Sequence, residues 1–236
     1  EGFVDGIITG CKEEAVLTRL SEYVPVVLFN AENRAVPVDC IIPDVERAIF
    51  EQMHYLSELG HRHIACYRPL LPQLRNSHWQ DARIWLAFRQ FYASRGLDIP
   101  ECYLESIQIS PETNNETAHS FVERVYANPE TAPTAIITAD VYASYLLRAL
   151  GARGLEVPCD VSLIGYDDDL LERGCPIALT SYRQDFTHMA KIAIETLFER
   201  LAGDRHSSKV VEVRGTLVHR SSVTAPRSKV ARPSGY

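Results

Sequence analysis

Short apolar runs alternate along this chain with longer stretches in which apolar residues recur every three or four positions. The short runs have the length and β-branched content of strands, and the longer ones have the period of amphipathic helices. The helices are predicted at 13–22, from the capping Asp44 to the terminating Gly60, and at 81–95, 114–125, 141–150 and 185–201. The strands are predicted at 3–9, 25–29, 38–42, 63–67, 104–109, 134–138, 161–164, 179–182, 210–213 and 216–219.

This alternation of strand and helix predicts parallel βαβ units and therefore an α/β fold. One stretch, Val157 to Phe186, stands out because its first strand ends in Gly165-Tyr166 and is followed by three carboxylates, Asp167, Asp168 and Asp169. Ligands of open α/β sheets bind at the carboxyl ends of the strands. A ligand site is therefore predicted here.

Charge, cysteine spacing and the length of the apolar runs argue against several classes of protein. The 236 residues carry a net charge of −7 with a pI near 5.6, which argues against a nucleic-acid-binding surface in these residues. The six cysteines form no CxxC pair and are typical of a reducing compartment. No apolar run approaches the roughly 20 residues of a membrane span, and no signal peptide is evident.

No catalytic or cofactor motif is recognisable. Neither a phosphate-binding glycine loop nor a Ser-His-Asp pattern occurs, so we expect no enzymatic activity and no cofactor. His61 and His63 lack a third ligand, so no metal site is expected either.

Five motifs resemble the effector-binding core of the LacI/GalR family of bacterial transcription regulators, whose fold is related to that of periplasmic sugar-binding proteins. They occur in family order over roughly residues 4 to 226. The motifs are VDGII (Val4–Ile8), LGHRHIA (Leu59–Ala65), PTAIITAD (Pro133–Asp140), VPCDVSLIGYDD (Val157–Asp168) and ALTSYRQD (Ala178–Asp185).

The resemblance implies two doubly wound parallel-sheet subdomains joined by three crossovers, with the effector between them. Carried onto this chain, the amino-terminal subdomain comprises residues 1–67 and 184–206 and is incomplete by two βα units. The carboxyl-terminal subdomain comprises 68–183 and 207–224, and a mobile tail follows at 225–236.

The resemblance also implies the ligand-binding residues. Asp167 matches the family's effector-contacting acid, whereas Asp168 and Asp169 are expected to be solvated or to cap a turn. Asp140 either contacts ligand or caps the following helix, and Trp79 either stacks on a sugar or packs in the core. Arg83 stands one position from the family's arginine, where this chain has Ile84. Either the helix start is shifted and Arg83 reaches the cleft, or this contact is absent. Ala139 and Ile109 replace residues that are often polar or aromatic in the family. The candidate ligand-binding residues are Asp167, Arg75, Ser77, Trp79, Arg83, Gln184 and Asp140.

The function implied by the resemblance is that of the ligand-sensing and dimerising core of a cytoplasmic DNA-binding regulator. Its effector is expected to be a small polar molecule, a sugar or sugar derivative. Operator DNA would be bound by a helix-turn-helix that these residues do not contain. The alternative is a periplasmic-type sugar-binding protein that serves a transporter.

Overall fold

The computed structural model describes residues 4–68, 79–103, 113–169, 175–203 and 207–227. These ranges contain nine strands and six α-helices. The strands are β1 (Ile7–Thr9), β2 (Val26–Phe29), β3 (Asp39–Pro43), β4 (Ile64–Tyr67), β5 (Ala135–Thr138), β6 (Ser162–Asp167), β7 (Thr180–Arg183), β8 (Val210–Val213) and β9 (Thr216–Val218). The helices are α1 (Glu14–Ser21), α2 (Val45–Glu58), α3 (Trp79–Ser94), α4 (Asn114–Val125), α5 (Asp140–Ala152) and α6 (Phe186–Leu201).

The described chain divides into two compact units. The first comprises residues 4–45, 79–80 and 184–216, and the second comprises 46–68, 81–183 and 217–227. Each unit is built on one sheet, with the strand order β1-β2-β3-β8 in the first and β4-β5-β6-β7-β9 in the second. The pairings of β1, β2, β3 and β8 and those of β4 through β7 are parallel. The predicted α/β fold with two parallel sheets is confirmed.

The sheet of the first unit is covered on both faces, because alternate residues of a strand point in opposite directions. Val26 and Leu28 of β2 pack in one apolar cluster with Leu17 of α1. Val27, which lies between them, packs in another cluster with Met189 of α6. The two helices therefore sit on opposite faces, which is the doubly wound arrangement.

The sheet of the second unit has its larger described core against α4 and α5. That core joins residues of the strands to both helices: Ala65, Tyr67, Ile136, Val161, Leu163, Ala118, Phe121, Val122, Val125, Ala143, Leu146 and Leu150. Alternate strand residues such as Ile64 and Ile137 are also at most 1% exposed, so the other face is covered as well. Helices α2 and α3 contact the sheet, since Gln52 donates to the Gly165 carbonyl and the Tyr92 hydroxyl bonds to the backbone of Ile64.

The unit boundaries differ at two places from those implied by the resemblance. Residues 46–67, expected in the first subdomain, lie in the second unit because β4 pairs with β5 and α2 leads directly into β4. Residues 207–216, expected in the second subdomain, lie in the first unit because β8 pairs with β3.

Some predicted features fall outside the described residues. These are the strand at 104–109 and the tail from residue 228 onward. A 3₁₀ turn, Glu101–Tyr103, precedes the first of them. Among the residues that are described, no helix combines the length and the apolar character needed to cross a membrane.

Candidate functional site

Two acidic side chains and one hydroxyl come from three neighbouring strands of the second unit or from the residues that follow them. Asp140 begins α5 just after β5, Asp167 is the last residue of β6, and Ser181 lies in β7 opposite Gly165. Because β5, β6 and β7 are parallel and adjacent, their carboxyl ends share one edge of the sheet. This edge is the candidate functional site.

Asp140 forms the buried centre of the site. It is 1% exposed, and its Oδ1 accepts a hydrogen bond of 2.8 Å from the Ser181 hydroxyl. Its Oδ2 accepts from the backbone N–H of Asp169 at 3.2 Å. Helix α5 has Ala139 at its N-cap, without a side-chain cap bond. The interpretation of Asp140 as the cap of this helix is therefore wrong. Its hydrogen bonds instead connect it to Ser181 of β7 and to Asp169 after β6.

Burial raises the pKa of Asp140 to about 7. The hydrogen bond from Ser181 opposes this shift, whereas the nearby charges of Asp167 and Asp169 add to it. The raised pKa favours the neutral carboxyl group at pH values where an ordinary aspartate is ionised. In that state it can donate a hydrogen bond as well as accept one.

Gly165 makes room for Asp140. A Cβ atom at this position would lie well inside van der Waals distance of the Asp140 Oδ1 and 2.5 Å from the Leu179 Cδ2. The glycine of the Gly-aromatic pair that ends the predicted strand is therefore explained by the close approach of the buried Asp140 carboxylate.

The turn after β6 has an unusual backbone. Asp167 has a φ of 107° and Asp168 a φ of 60°, in the region that favours glycine. Each such residue costs on the order of 1–3 kcal/mol and persists where its surroundings hold it. One of the contacts that hold it is a hydrogen bond of 3.2 Å from the Asp168 N–H to the Ser181 hydroxyl oxygen.

The Asp168 carboxylate lies between two arginines. Arg183 Nε is 2.6 Å from its Oδ2, Arg220 Nη1 is 2.5 Å from its Oδ1, and the side chain is only 4% exposed. Burial alone would raise the pKa of Asp168, but the hydrogen bonds and charges of Arg220 and Arg183 outweigh it and lower the pKa. The expectation that Asp168 is solvated or caps a turn is wrong, because its carboxylate is buried and paired with Arg183 and Arg220, which are distant in sequence.

Aromatic side chains lie at the same end of the sheet. The rings of Tyr166 and Tyr182 stack with their centroids 5.9 Å apart, and the Arg68 guanidinium lies 4.8 Å from the Tyr166 centroid. Arg68 and the tyrosines were not among the predicted site residues, nor was Ser181. The signal that could have found Arg68 is the one used for Asp167, namely a polar residue at or just after the carboxyl end of a parallel strand. Ser181 lies inside β7, and the sequence carries no such signal for it.

Among the predicted ligand residues, Asp140 and Asp167 lie at the same edge of the sheet, Asp140 just after β5 and Asp167 at the end of the adjacent strand β6. Arg83 of the same unit forms an ion pair of 2.8 Å with Glu46. Gln184 follows β7, is 7% exposed and begins a segment of the first unit.

The remaining predicted ligand residues stay predictions. Arg75, Ser77 and the side chain of Trp79 lie outside the described residues. Ile84, which stands at the family's arginine position, is fully buried, and Ala139 is 6% exposed.

The histidine of the LGHR motif has a role in the core. His61 is 2% exposed, and its ring nitrogens lie 2.8 Å from the Thr134 hydroxyl and from the Thr224 carbonyl oxygen. Because the carbonyl can only accept, Nε2 carries the proton and Nδ1 accepts from Thr134. In the described part of the chain, no group of three or more histidine, cysteine or acidic side chains is placed to hold a metal ion.

The chain is similar to known proteins over most of its length. The periplasmic binding protein-like domain family matches residues 53–223. The HTH-type transcriptional repressor PurR of Klebsiella pneumoniae subsp. pneumoniae is 29% identical over 93% of this chain and 63% of its own length. The HTH-type transcriptional regulator DegA of Bacillus subtilis is 29% identical over 94% of this chain and 64% of its length. The chain thus spans less than two thirds of these relatives.

Solved structures share the fold. The transcriptional regulator CelR in complex with cellobiose superposes with a TM-score of 0.75 at 22% identity, covering 93% of this chain and 66% of that one. A LacI family transcriptional regulator from Enterococcus faecalis V583 with bound ribose gives 0.73 at 19% identity, covering 95% and 79%. The chain belongs to the periplasmic binding protein-like domain family, and its resemblance to the effector-binding core of the LacI/GalR regulators is confirmed.

Proposed function

We propose that this chain is the ligand-sensing core of a LacI-type transcriptional regulator and that it binds its effector at the carboxyl edge of the second unit's sheet. The observation that carries the proposal is the set of carboxylates at that edge, with Asp140 buried, Asp167 ending β6, and Ser181 bonded between strands. The relatives PurR and DegA are regulators, so the alternative of a transport-associated binding protein is not favoured.

The chemistry of these groups suits a ligand rich in hydroxyl groups. Carboxylate oxygens accept hydrogen bonds, and two of them can accept from adjacent hydroxyls of a sugar. Asp140 is 1% exposed and both of its oxygens accept hydrogen bonds within the chain, so in this proposal it supports the site and Asp167 contacts the ligand. The proposed effector is a sugar or sugar derivative, in keeping with the cellobiose and ribose bound by the two structural neighbours.

Arg75, Ser77, Trp79, Arg83 and Gln184 remain proposed ligand residues from the resemblance. For Arg83 the proposal requires that its guanidinium contact ligand while Glu46 holds its Nε.

The test is a thermal-shift screen of the full-length protein against ribose, glucose, cellobiose, nucleobases and sugar phosphates. At a concentration of about 100 Kd, a bound ligand stabilises the folded state by about 2.7 kcal/mol. For a chain of this size that corresponds to a rise in Tm of roughly 5–10 °C. Asp167→Asn should abolish most of the rise, and Asp98→Asn, which alters an exposed aspartate of the same unit, should keep it. The proposal fails if no compound raises Tm, or if Asp167→Asn responds as the wild type does.

Dimerisation, operator binding and a cytoplasmic location complete the proposal and rest on the family resemblance. A dimer of this 26.6 kDa chain would have twice that mass in light scattering. DNA binding would belong to residues other than these 236, as the acidic net charge of −7 supports.

A further inference from the structure

The turn after β6 combines two backbone conformations that non-glycine residues rarely adopt, at Asp167 and Asp168. Such a turn keeps its shape only where side-chain contacts determine it. The side chain of Asp168 makes contacts of this kind.

Each oxygen of the Asp168 carboxylate has its own guanidinium partner. Arg183, the last residue of β7, bonds to Oδ2, and Arg220, just beyond β9, bonds to Oδ1. Arg220 is itself anchored, because the same Nη1 donates to the Leu179 carbonyl at 2.6 Å and its backbone N–H donates to the Thr180 hydroxyl oxygen at 2.9 Å. Asp168 thus connects the turn to the end of β7 and to the segment just beyond β9, which is itself bonded to Leu179 and Thr180.

The residues on either side of Asp168 depend on this connection. The N–H of Asp168 bonds to Ser181, and the N–H of Asp169 bonds to the buried carboxylate of Asp140. The placement of Asp167 and Asp169 beside Asp140 follows from where the turn is held. Asp168, with both oxygens occupied and 4% exposure, is poorly placed to bind ligand itself.

We propose that Asp168 is the positioning residue of the candidate site: through Arg183 and Arg220 it holds the turn after β6 so that Asp167 and Asp169 lie beside Asp140. The functional importance of this role rests on the proposed function, because the turn carries Asp167, the acid proposed to bind ligand. The contacts themselves do not depend on any ligand.

Amide hydrogen exchange of the intact chain, measured residue by residue by NMR, tests the proposal. The Asp168→Asn variant removes the charge but keeps the shape, and asparagine tolerates the left-handed backbone of this position. Arg220→Gln removes the ion pair with Asp168 by changing the cationic partner. In both variants the protection factors of the amides at 168 and 169 should fall roughly tenfold or more, as expected for loss of hydrogen bonds to a charged group.

The pattern of exchange along the chain separates positioning from general stability. The amides of Leu163 and Ile164 in β6 should keep their protection, whereas a merely structural role of Asp168 would lower protection throughout the second unit. Arg227→Gln, which breaks the ion pair of Arg227 with Asp160 in the same unit, is the matched control and should leave residues 168 and 169 unchanged. Unchanged protection at 168 and 169 in both test variants, or a uniform loss across β6, would overturn the proposal.

Failure of the proposed function would give a different result. If no sugar, nucleobase or sugar phosphate raises Tm but the two amides respond as described, the positioning role stands and the assignment of the effector site falls.

Discussion

Replacing Asp140 with asparagine should make the protein less sensitive to pH. The carboxyl has a folded-state pKa of about 7 against an ordinary value of 3.8, because burial disfavours its charge. A raised folded pKa means that the full stability is present below pH 3.8 and is lost as pH rises through 7. The asparagine variant has no proton to lose at this position and should not show that loss.

The magnitude follows from the size of the shift. Each pKa unit corresponds to about 1.4 kcal/mol, so a shift of about three units costs the wild type roughly 4 kcal/mol once Asp140 is ionised. Between pH 5 and pH 8 the cost grows by roughly 3 kcal/mol on the same arithmetic. The free energy of unfolding of Asp140→Asn, relative to wild type, should therefore rise by about that amount across this interval.

Urea denaturation at pH 5, 6, 7 and 8 measures this difference. The amide can still bond to both partners, since its oxygen can accept from the Asp169 N–H and its NH₂ can donate to the Ser181 hydroxyl oxygen, which reverses the bond that Ser181 donates in the wild type. Asp98→Asn controls for the loss of one formal charge from the second unit. A difference between wild type and Asp140→Asn that stays constant to within about 0.5 kcal/mol from pH 5 to pH 8 would refute the reasoning.

Three further predictions concern packing and charge in the two units. Gly165→Ala should destabilise the second unit by several kcal/mol in urea denaturation, since the added methyl would overlap the buried carboxylate beneath it; a loss below about 1 kcal/mol would show that the carboxylate can move aside. Burial lowers the pKa of His61 below 6.5, so the stability that the neutral ring contributes is present above pH 6.5 and is lost as pH falls. His61→Gln should lack this loss of stability in thermal melts between pH 7 and pH 5. Arg200→Met should cost roughly 3–5 kcal/mol in the first unit, because Asp39 is fully buried and its Oδ2 lies 2.7 Å from Arg200 Nε; a melt unchanged by this substitution would contradict the assignment.

The strands and helices were largely predictable because their signal is local. The predicted helix at 185–201 is observed as α6, and the predicted strand at 134–138 is observed as β5. In both, the spacing of apolar residues and the residues that begin and end the element indicate the same structure. Strand β6 is longer than predicted, since Gly165 and Tyr166 continue it to Asp167. A glycine in a strand ordinarily weakens it, and here the buried carboxylate beneath it is the reason for its presence.

The unit boundaries and the role of Asp168 were not predictable because they depend on partners distant in sequence. Strand β4 belongs to the second unit because it pairs with β5, which lies about 70 residues later. No local sequence pattern predicts that pairing. Arg220, which buries the Asp168 carboxylate, stands 52 residues beyond it. Three consecutive aspartates therefore have the same appearance in sequence, and only the tertiary contacts distinguish the buried Asp168 from its neighbours.

The pairing of β3 with β8 has a consequence for how the chain folds during its synthesis. Residues 46–183, which intervene between these parts of the first unit, belong almost entirely to the second. At roughly 5–20 residues per second, β8 leaves the ribosome about ten to thirty seconds after β3. During that interval the β3 edge of the growing sheet is open to other chains, and α6 has not yet covered the face that carries Val27. A nascent chain halted before Val210 would leave the β3 edge without its native partner, so translation pauses in this stretch should raise aggregation of this protein more than pauses after Val218.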